Sequence, residues 1–242
     1  MRILLFDIDG TLTRSGQQID QEMIDCLNSF HNTHPDTYLG LVGGGNIDKI
    51  RYQIGSAISL FKYIFAECGS VVYIDGTLIE EKMMLDYVDR EYLNEIIRQA
   101  LKTISEMPII YCGNQIDFRK GLIYISPPGM QSTFERDIFK KKDKELNLRK
   151  DLITTLKQKD YKDQFEIVLG GEVGISIYPK DWNKSQVLRY FSTDYDTIYF
   201  FGDRTEPDGN DYPLYSSHGV IGFSVEDYQD TIDKITKLKE VF

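Results

Sequence analysis

Asp7 and Asp9, two residues apart in the segment FDIDGTLT, are the side chains of this chain best suited to chemistry. They follow residues 2–6 (RILLF), a short and nearly all-apolar run that reads as a parallel strand buried on both faces. Open α/β sheets bind their ligands at the carboxyl ends of their strands. Within a regular strand both carboxylates would point to one face, and at a strand end the following loop can aim both at one ion and one phosphoryl group. A bound Mg²⁺ would offset their mutual repulsion, and oxygen ligands suit that hard cation. Asp-x-Asp-Gly alone also describes an ordinary turn, and it is the strand before it and Thr11-Leu12-Thr13 after it that favour the chemical reading.

Phosphoryl transfer through an aspartate needs more than the nucleophile. The phosphoryl oxygens need a neutralising charge, the metal needs further carboxylates, and the leaving group needs a proton donor. Lys184, at an expected helix start after Asn183, can neutralise the nucleophile and the transferring group. Asp203, in Phe200-Phe201-Gly202-Asp203, closes another apolar run and can bind the metal. Gly209-Asn210-Asp211 offers a second acidic loop, which also reads as a plain turn and helix cap.

These segments need a scaffold that brings strand ends together. A helix over Met23, Ile24, Leu27 and Phe30 follows an N-cap at Asp20, and a strand over Tyr38–Val42 ends in Gly43-Gly44-Gly45-Asn46 before a helix carrying Ile47, Ile50 and Ile54. Strands at 63–66 and 71–74, with Asp75-Gly76 as a hairpin turn, complete an α/β pattern with a parallel sheet. The middle of the chain changes character. A long helix over Leu93–Ile104 precedes strands near Ile109–Tyr111, Ile116–Arg119 and Leu122–Ile125, with a turn at Lys120-Gly121. The charged stretch from Lys140 to Glu145 leads into a helix around Leu152–Leu156, and strands follow at Phe165–Leu169 and Gly174–Tyr178. The end reverts to the first pattern, with strands at Ile198–Phe201 and Val220–Phe223 and a closing helix over Ile232, Ile235 and Leu238. The expected architecture is an α/β core from residues 1–81 and 184–242, with an α+β cap inserted at 82–183.

Composition narrows the partners. The 242 residues carry 28 Lys and Arg against 38 Asp and Glu, a formal net charge of −10 that repels nucleic-acid backbones and anionic lipid. An anionic small substrate is compatible with that total only if the cations are concentrated locally. The 3 cysteines are odd in number and form no C-x-x-C pair, which reads as reduced thiols in a cytoplasmic protein. The aspartates that interrupt MRILLFDIDG argue against a signal-peptide core, and no run approaches the ~20 apolar residues that span a bilayer.

The set Asp7, Asp9, Lys184 and Asp203 resembles the haloacid dehalogenase (HAD) superfamily of phosphotransferases. Over nearly the whole chain the sequence is similar to the eukaryotic-type phosphomannomutases, on FDIDGTLT, VGGGNIDKI, VVYIDGTLI, FRKGLIYISPPG, LGGEVGISIYPKDWNK and YFFGDRTEPDGNDYPLY. The resemblance implies a Rossmann-type core with an inserted cap, Mg²⁺ dependence, a homodimer through the cap, and hexose 1,6-bisphosphate as activator. Its implied activity is interconversion of mannose 6-phosphate and mannose 1-phosphate, a step of GDP-mannose biosynthesis. Matched position by position, Asp7 is the nucleophile, Asp9 the acid/base, Lys184 the motif lysine, and Asp7, Asp9 and Asp203 the metal ligands, Asp9 through its backbone carbonyl. Arg119 and Arg136 match cap arginines that hold the distal phosphate, work that suits a bidentate guanidinium.

Departures from the family pattern cluster around the substrate. A family arginine falls on Gly16, with Arg14 nearby, and another falls on Met130. The serine and aspartate that contact the sugar fall on Gly174 and Ser176, the family Gly-Gly-Ser ends here at Gly45, and a secondary cation loop falls on Ser217 and Val220. Lys120, Arg14 and the lysines at 140–142 are the cations available to compensate. Weaker retention of a bisphosphate favours its release, so a sugar-phosphate phosphatase stands as the alternative activity.

Overall fold

The apolar runs at the start of the chain form strands separated by amphipathic helices: β1 (Arg2–Phe6), α1 (Gln21–Thr33), β2 (Thr37–Val42), α2 (Ile47–Ile54) and β3 (Phe61–Ala66). A hairpin follows, β4 (Val71–Ile74) and β5 (Thr77–Glu81), whose turn residues Asp75 and Gly76 have φ of 50° and 73°. Positive φ at both positions matches the right-handed twist of the flanking strands. Next come α3 (Arg90–Ser105), β6 (Ile116–Phe118), β7 (Ile123–Ile125), α4 (Thr133–Leu146), α5 (Leu148–Lys159), β8 (Phe165–Gly170) and β9 (Gly174–Pro179). The chain ends with a 3-10 helix at Lys184–Tyr190, β10 (Thr197–Gly202), the short α6 (Tyr212–Tyr215), β11 (Val220–Ser224) and α7 (Tyr228–Lys239). This computed structural model describes residues 1–160, 162–192 and 196–240. It divides into two units, Met1–Lys82 with Trp182–Phe242, and Met83–Asp181.

The first unit is built on a seven-stranded sheet of order β11-β10-β1-β2-β3-β4-β5. Strands β11 to β3 are parallel, and β4 and β5 extend the sheet antiparallel. Because side chains alternate along β1, Leu4 and Phe6 enter one core cluster with Met23, Leu27 and Phe30 of α1, while Ile3 and Leu5 enter another with Phe65, Val187 and Phe200. Burial on both faces is why these strands are apolar throughout. The strand order reverses at β1, whose neighbours are β2 on one side and β10 on the other. Such a reversal splays the loops at the strand ends and opens a crevice.

The inserted unit holds an antiparallel four-stranded sheet of order β6-β7-β9-β8. Ile123 and Ile125 of β7 pair with Ile177 and Ile175 of β9 and are buried, while Tyr124 pairs with Ser176 on the opposite face. Helix α3 buries Leu93, Ile96, Ile97, Ala100 and Ile104, an i, i+3, i+4 stripe, and α5 buries Leu152 and Leu156.

One local expectation is corrected and two are refined. Ile109–Tyr111 is not a strand: Ile110 and Tyr111 are exposed, and Cys112 bonds instead to the Pro128 carbonyl (2.5 Å) and the Gln131 amide (3.1 Å). The Lys140–Glu145 stretch lies inside α4, which buries only Phe139 and Asp143 and so has almost no apolar periodicity to read. The helix after Asn183 is a 3-10 helix, capped by the Asn183 side chain accepting from the Ser185 amide (3.0 Å).

Candidate active site

Asp7 and Asp203 sit one residue beyond β1 and β10, the strands that flank the reversal in strand order. The Asp7 amide donates to the Phe201 carbonyl (2.9 Å), which carries the parallel pairing into the loop and fixes the direction of the Asp7 side chain. Lys184, the first residue of the 3-10 helix, is fully buried, and its Nζ donates to Asp7 Oδ1 (2.5 Å) and Asp211 Oδ1 (2.6 Å). Asp211, also fully buried, immediately precedes α6 and accepts the Arg204 amide at Oδ2 (3.0 Å). A Cβ at Gly202 would lie 2.8 Å from that carboxylate, so only glycine lets Asp211 approach the strand end.

One oxygen from each of Asp7, Asp203 and Asp211 lies within 4.8 Å of the others. Three carboxylates against one ammonium leave a formal charge of −2, and the neighbours respond to that excess. Burial pushes the Asp7 carboxyl up to about 8, against the pull of Lys184 and with the repulsion of Asp211 and Asp203. Burial and the Asp211 charge raise Asp203 to about 6. Burial alone would depress Lys184, but Asp211 and Asp7 hold its ammonium above the ordinary lysine value. Asp203 Oδ1 is buried and has no hydrogen-bond partner. A hard divalent cation answers the excess charge, the all-oxygen donor set and that unpartnered oxygen together, so the residues fit Mg²⁺.

The Asp9 side chain is engaged elsewhere. Its Oδ2 accepts from Lys49 Nζ, and its Oδ1 accepts from Gln53 Nε2 (2.9 Å) and the Gly16 amide (2.7 Å). Burial pulls its carboxyl upward, but Lys49, the Gly16 amide and Gln53 hold it below the ordinary aspartate value. Gly16, where a family arginine falls, therefore reaches Asp9 through its backbone. Arg14 is held by Asp20 (2.8 Å) and the Tyr228 hydroxyl (2.6 Å), with its guanidinium over the Tyr228 ring.

In the inserted unit, Arg119 Nε donates to Asp117 Oδ2 (2.7 Å) and its guanidinium lies 5.0 Å from the centre of the Tyr124 ring. Arg136 lies in the first turn of α4, its Nε buried without a hydrogen-bond partner. Gly174 and Ser176 lie on β9, where Ser176 pairs with Tyr124 and Val168. Lys140 is bound to Asp137 (2.7 Å) and Glu172 (3.2 Å), and Lys142 to the Pro108 carbonyl (2.5 Å).

The fold thus brings Asp7, Lys184 and Asp203 together, and it adds Asp211, which the sequence offers equally as a turn residue. Lys49 and Gln53 were missed. Their signal is the i, i+4 spacing of two polar residues on one face of the helix that follows the glycine turn.

A family model described as eukaryotic phosphomannomutase matches residues 26–241. A phosphomannomutase of Spinacia oleracea is 36% identical over 239 residues, covering 98% of this chain and 95% of that protein. One from Dendrobium officinale is 36% identical over 235 residues, covering 96% and 92%. Among solved structures, the C-terminal domain of Candida albicans trehalose-6-phosphate phosphatase matches with a TM-score of 0.66 at 15% identity, over 99% of this chain and 92% of that one. An IMP-bound Plasmodium falciparum IMP-nucleotidase matches with a TM-score of 0.65 at 14% identity, over 99% of this chain and 68% of that one. The structural likenesses carry the HAD-like fold alone, while the sequence matches span nearly the whole chain and establish that it belongs to the eukaryotic phosphomannomutase family.

Proposed function

We propose that this chain is a Mg²⁺-dependent mutase that interconverts mannose 6-phosphate and mannose 1-phosphate through a hexose 1,6-bisphosphate. The observation that carries the reading is the buried Lys184 bonded to both Asp7, at the end of β1, and Asp211, just before α6, with Asp203 beside them at the end of the adjacent β10. Asp7 is the phosphoryl carrier. On the phosphorylated enzyme, a free sugar hydroxyl attacks the phosphorus, Asp9 takes its proton, and the Asp7 carboxylate departs to leave the bisphosphate. After the sugar has turned end for end, Asp7 attacks the other phosphoryl group and Asp9 returns the proton to the departing oxygen.

The ionised Asp9, held below its ordinary value by Lys49, is ready to accept that proton. Lys184 orients Asp7 and offsets charge on the transferring group. Asp7, Asp203 and the Asp9 carbonyl would hold Mg²⁺ beside Asp211, and the ion supplies further neutralisation of the phosphoryl oxygens. Arg119 and Arg136, with the β9 positions Gly174 and Ser176, serve substrate binding. The 3 cysteines, odd in number and without a C-x-x-C pair, support a cytoplasmic setting. The exposed Ile110, Tyr111 and Phe118 of the inserted unit support a homodimer.

The test supplies Mg²⁺, a trace of hexose 1,6-bisphosphate and mannose 1-phosphate, and follows the products by phosphorus NMR. Mannose 6-phosphate without free phosphate is the expected result. Stoichiometric free phosphate would replace the mutase reading with the phosphatase one.

A further inference from the structure

Tyr124 lies on the face of the inserted unit's sheet opposite Ile123 and Ile125. Its neighbours in register are Asp117 on β6 and Ser176 on β9, and Arg119 lies over its ring. The β8–β9 hairpin wraps the ring with glycines. A Cβ at Gly174 would lie 2.3 Å from Tyr124 Cζ, 2.4 Å from its hydroxyl oxygen and 2.6 Å from Cε2. One at Gly170 would lie 3.3 Å from Cε2, and one at Gly171 would lie 3.2 Å from the hydroxyl. The phenol donates to the Gly170 carbonyl (3.3 Å). Arg149 Nη1 in turn donates to the carbonyls of Gly171 (3.2 Å) and Gly174 (3.4 Å), and its Nε is bonded to Asp143 (2.7 Å). A side chain at position 174 and this placement of the Tyr124 ring therefore exclude each other.

We propose that Tyr124 is a specificity-determining residue of this chain, filling the space over β9 that side chains from position 174 would otherwise occupy and presenting the sugar with an aromatic face. The inference rests on the reading of Arg119, Gly174 and Ser176 as substrate-binding positions. A surface that hydrogen-bonds a hydroxyl rejects the analogue lacking it strongly, whereas an apolar face discriminates weakly between isomers. A ring here lowers the penalty for moving one sugar hydroxyl from axial to equatorial. It also holds Arg119 by its π face, alongside the hydrogen bond that Arg119 donates to Asp117.

The test has two readouts on the full-length protein. In thermal melts, Gly174→Ser lowers the Tm clearly when Tyr124 is present and much less in a Tyr124→Ala background; equal losses in both backgrounds would overturn the proposed exclusion. In kinetics, the ratio of kcat/KM for mannose 1-phosphate to that for glucose 1-phosphate is measured for wild type, Tyr124→Phe, Tyr124→Ala and Tyr124→Ala/Gly174→Ser. Phenylalanine keeps the ratio, and the double variant, which places a hydroxyl in the vacated space, changes it at least tenfold. A ratio constant within twofold across the set overturns the inference while leaving the mutase reading intact. No turnover of either sugar phosphate by the wild type would overturn the mutase reading and this inference with it.

Discussion

Replacing Lys184 by methionine removes one ammonium and keeps a side chain of similar length. Asp7 Oδ1 and Asp211 Oδ1, now 2.5 and 2.6 Å from Nζ, would be left facing each other without a cation. Lys184 and Asp211 are fully buried and Asp7 nearly so, so water cannot take over the lost bonds. Removing one partner of a buried pair costs about 3–5 kcal/mol, a large share of the roughly 5–15 kcal/mol that holds a domain folded. The measurement is urea unfolding at pH 7 in EDTA, so that no metal substitutes for the missing charge. Lys184→Met should lose about 3–5 kcal/mol, and Lys184→Met/Asp211→Asn, with one orphaned charge also gone, should recover at least ~1.5 kcal/mol of it. A loss below ~1 kcal/mol, the range of a solvent-exposed pair, would refute the burial of this charge cluster. Turnover should fall by roughly 10²–10³ in the single variant, the scale of removing one preorganised electrostatic contact to a transferring group.

Three further variants probe the surroundings. Gly10 has φ +88°, and a Cβ there would lie 2.5 Å from Asp203 Oδ2. Gly10→Ala should therefore cost about 1–2 kcal/mol in unfolding and weaken Mg²⁺ binding by calorimetry at least about tenfold; unchanged affinity would separate this loop from the metal site. Lys49→Met leaves Asp9 without its ammonium partner and should lower kcat by roughly 10²-fold with little change in KM, measured by steady-state kinetics. Glu80 is drawn upward by burial, but the Tyr190 hydroxyl and Arg189 hold its carboxyl below the ordinary glutamate value of 4.5. The stability it contributes is present above that value and is lost as pH falls through the lower folded one. Glu80→Gln should thus cost roughly 0.5–1 kcal/mol at pH 7, modest because the pair is partly exposed, and cost progressively less in melts below pH 4.

The parts of the fold that were legible in the sequence are those in which burial leaves a pattern. Strands of the parallel sheet bury both faces and read as continuous apolar runs, and α3 carries a stripe from Leu93 to Ile104. Helix α4 left no such trace, because it buries only Phe139 and Asp143. The Ile109–Tyr111 run misled because apolar β-formers are also found exposed in irregular chain, here Ile110 and Tyr111. At the site, strand ends and a helix start located Asp7, Asp203 and Lys184. Asp211 was ambiguous because an acidic turn and a buried carboxylate look alike until Gly202 is seen to admit it. Tyr124 carried no sequence signal of its own, since its role depends on glycines 46 to 50 residues further along the chain.

Trapping the phosphoryl group on the enzyme tests whether Asp7 is the phosphoryl carrier. The protein is mixed with Mg²⁺ and hexose 1,6-bisphosphate labelled in phosphate, quenched in acid, reduced with borohydride to convert any aspartyl phosphate to homoserine, and mapped by mass spectrometry. Homoserine is expected at Asp7 and nowhere else, and none in Lys184→Met under the same brief exposure. Label stably found on another residue, or turnover at the wild-type rate by Asp7→Asn, would contradict it.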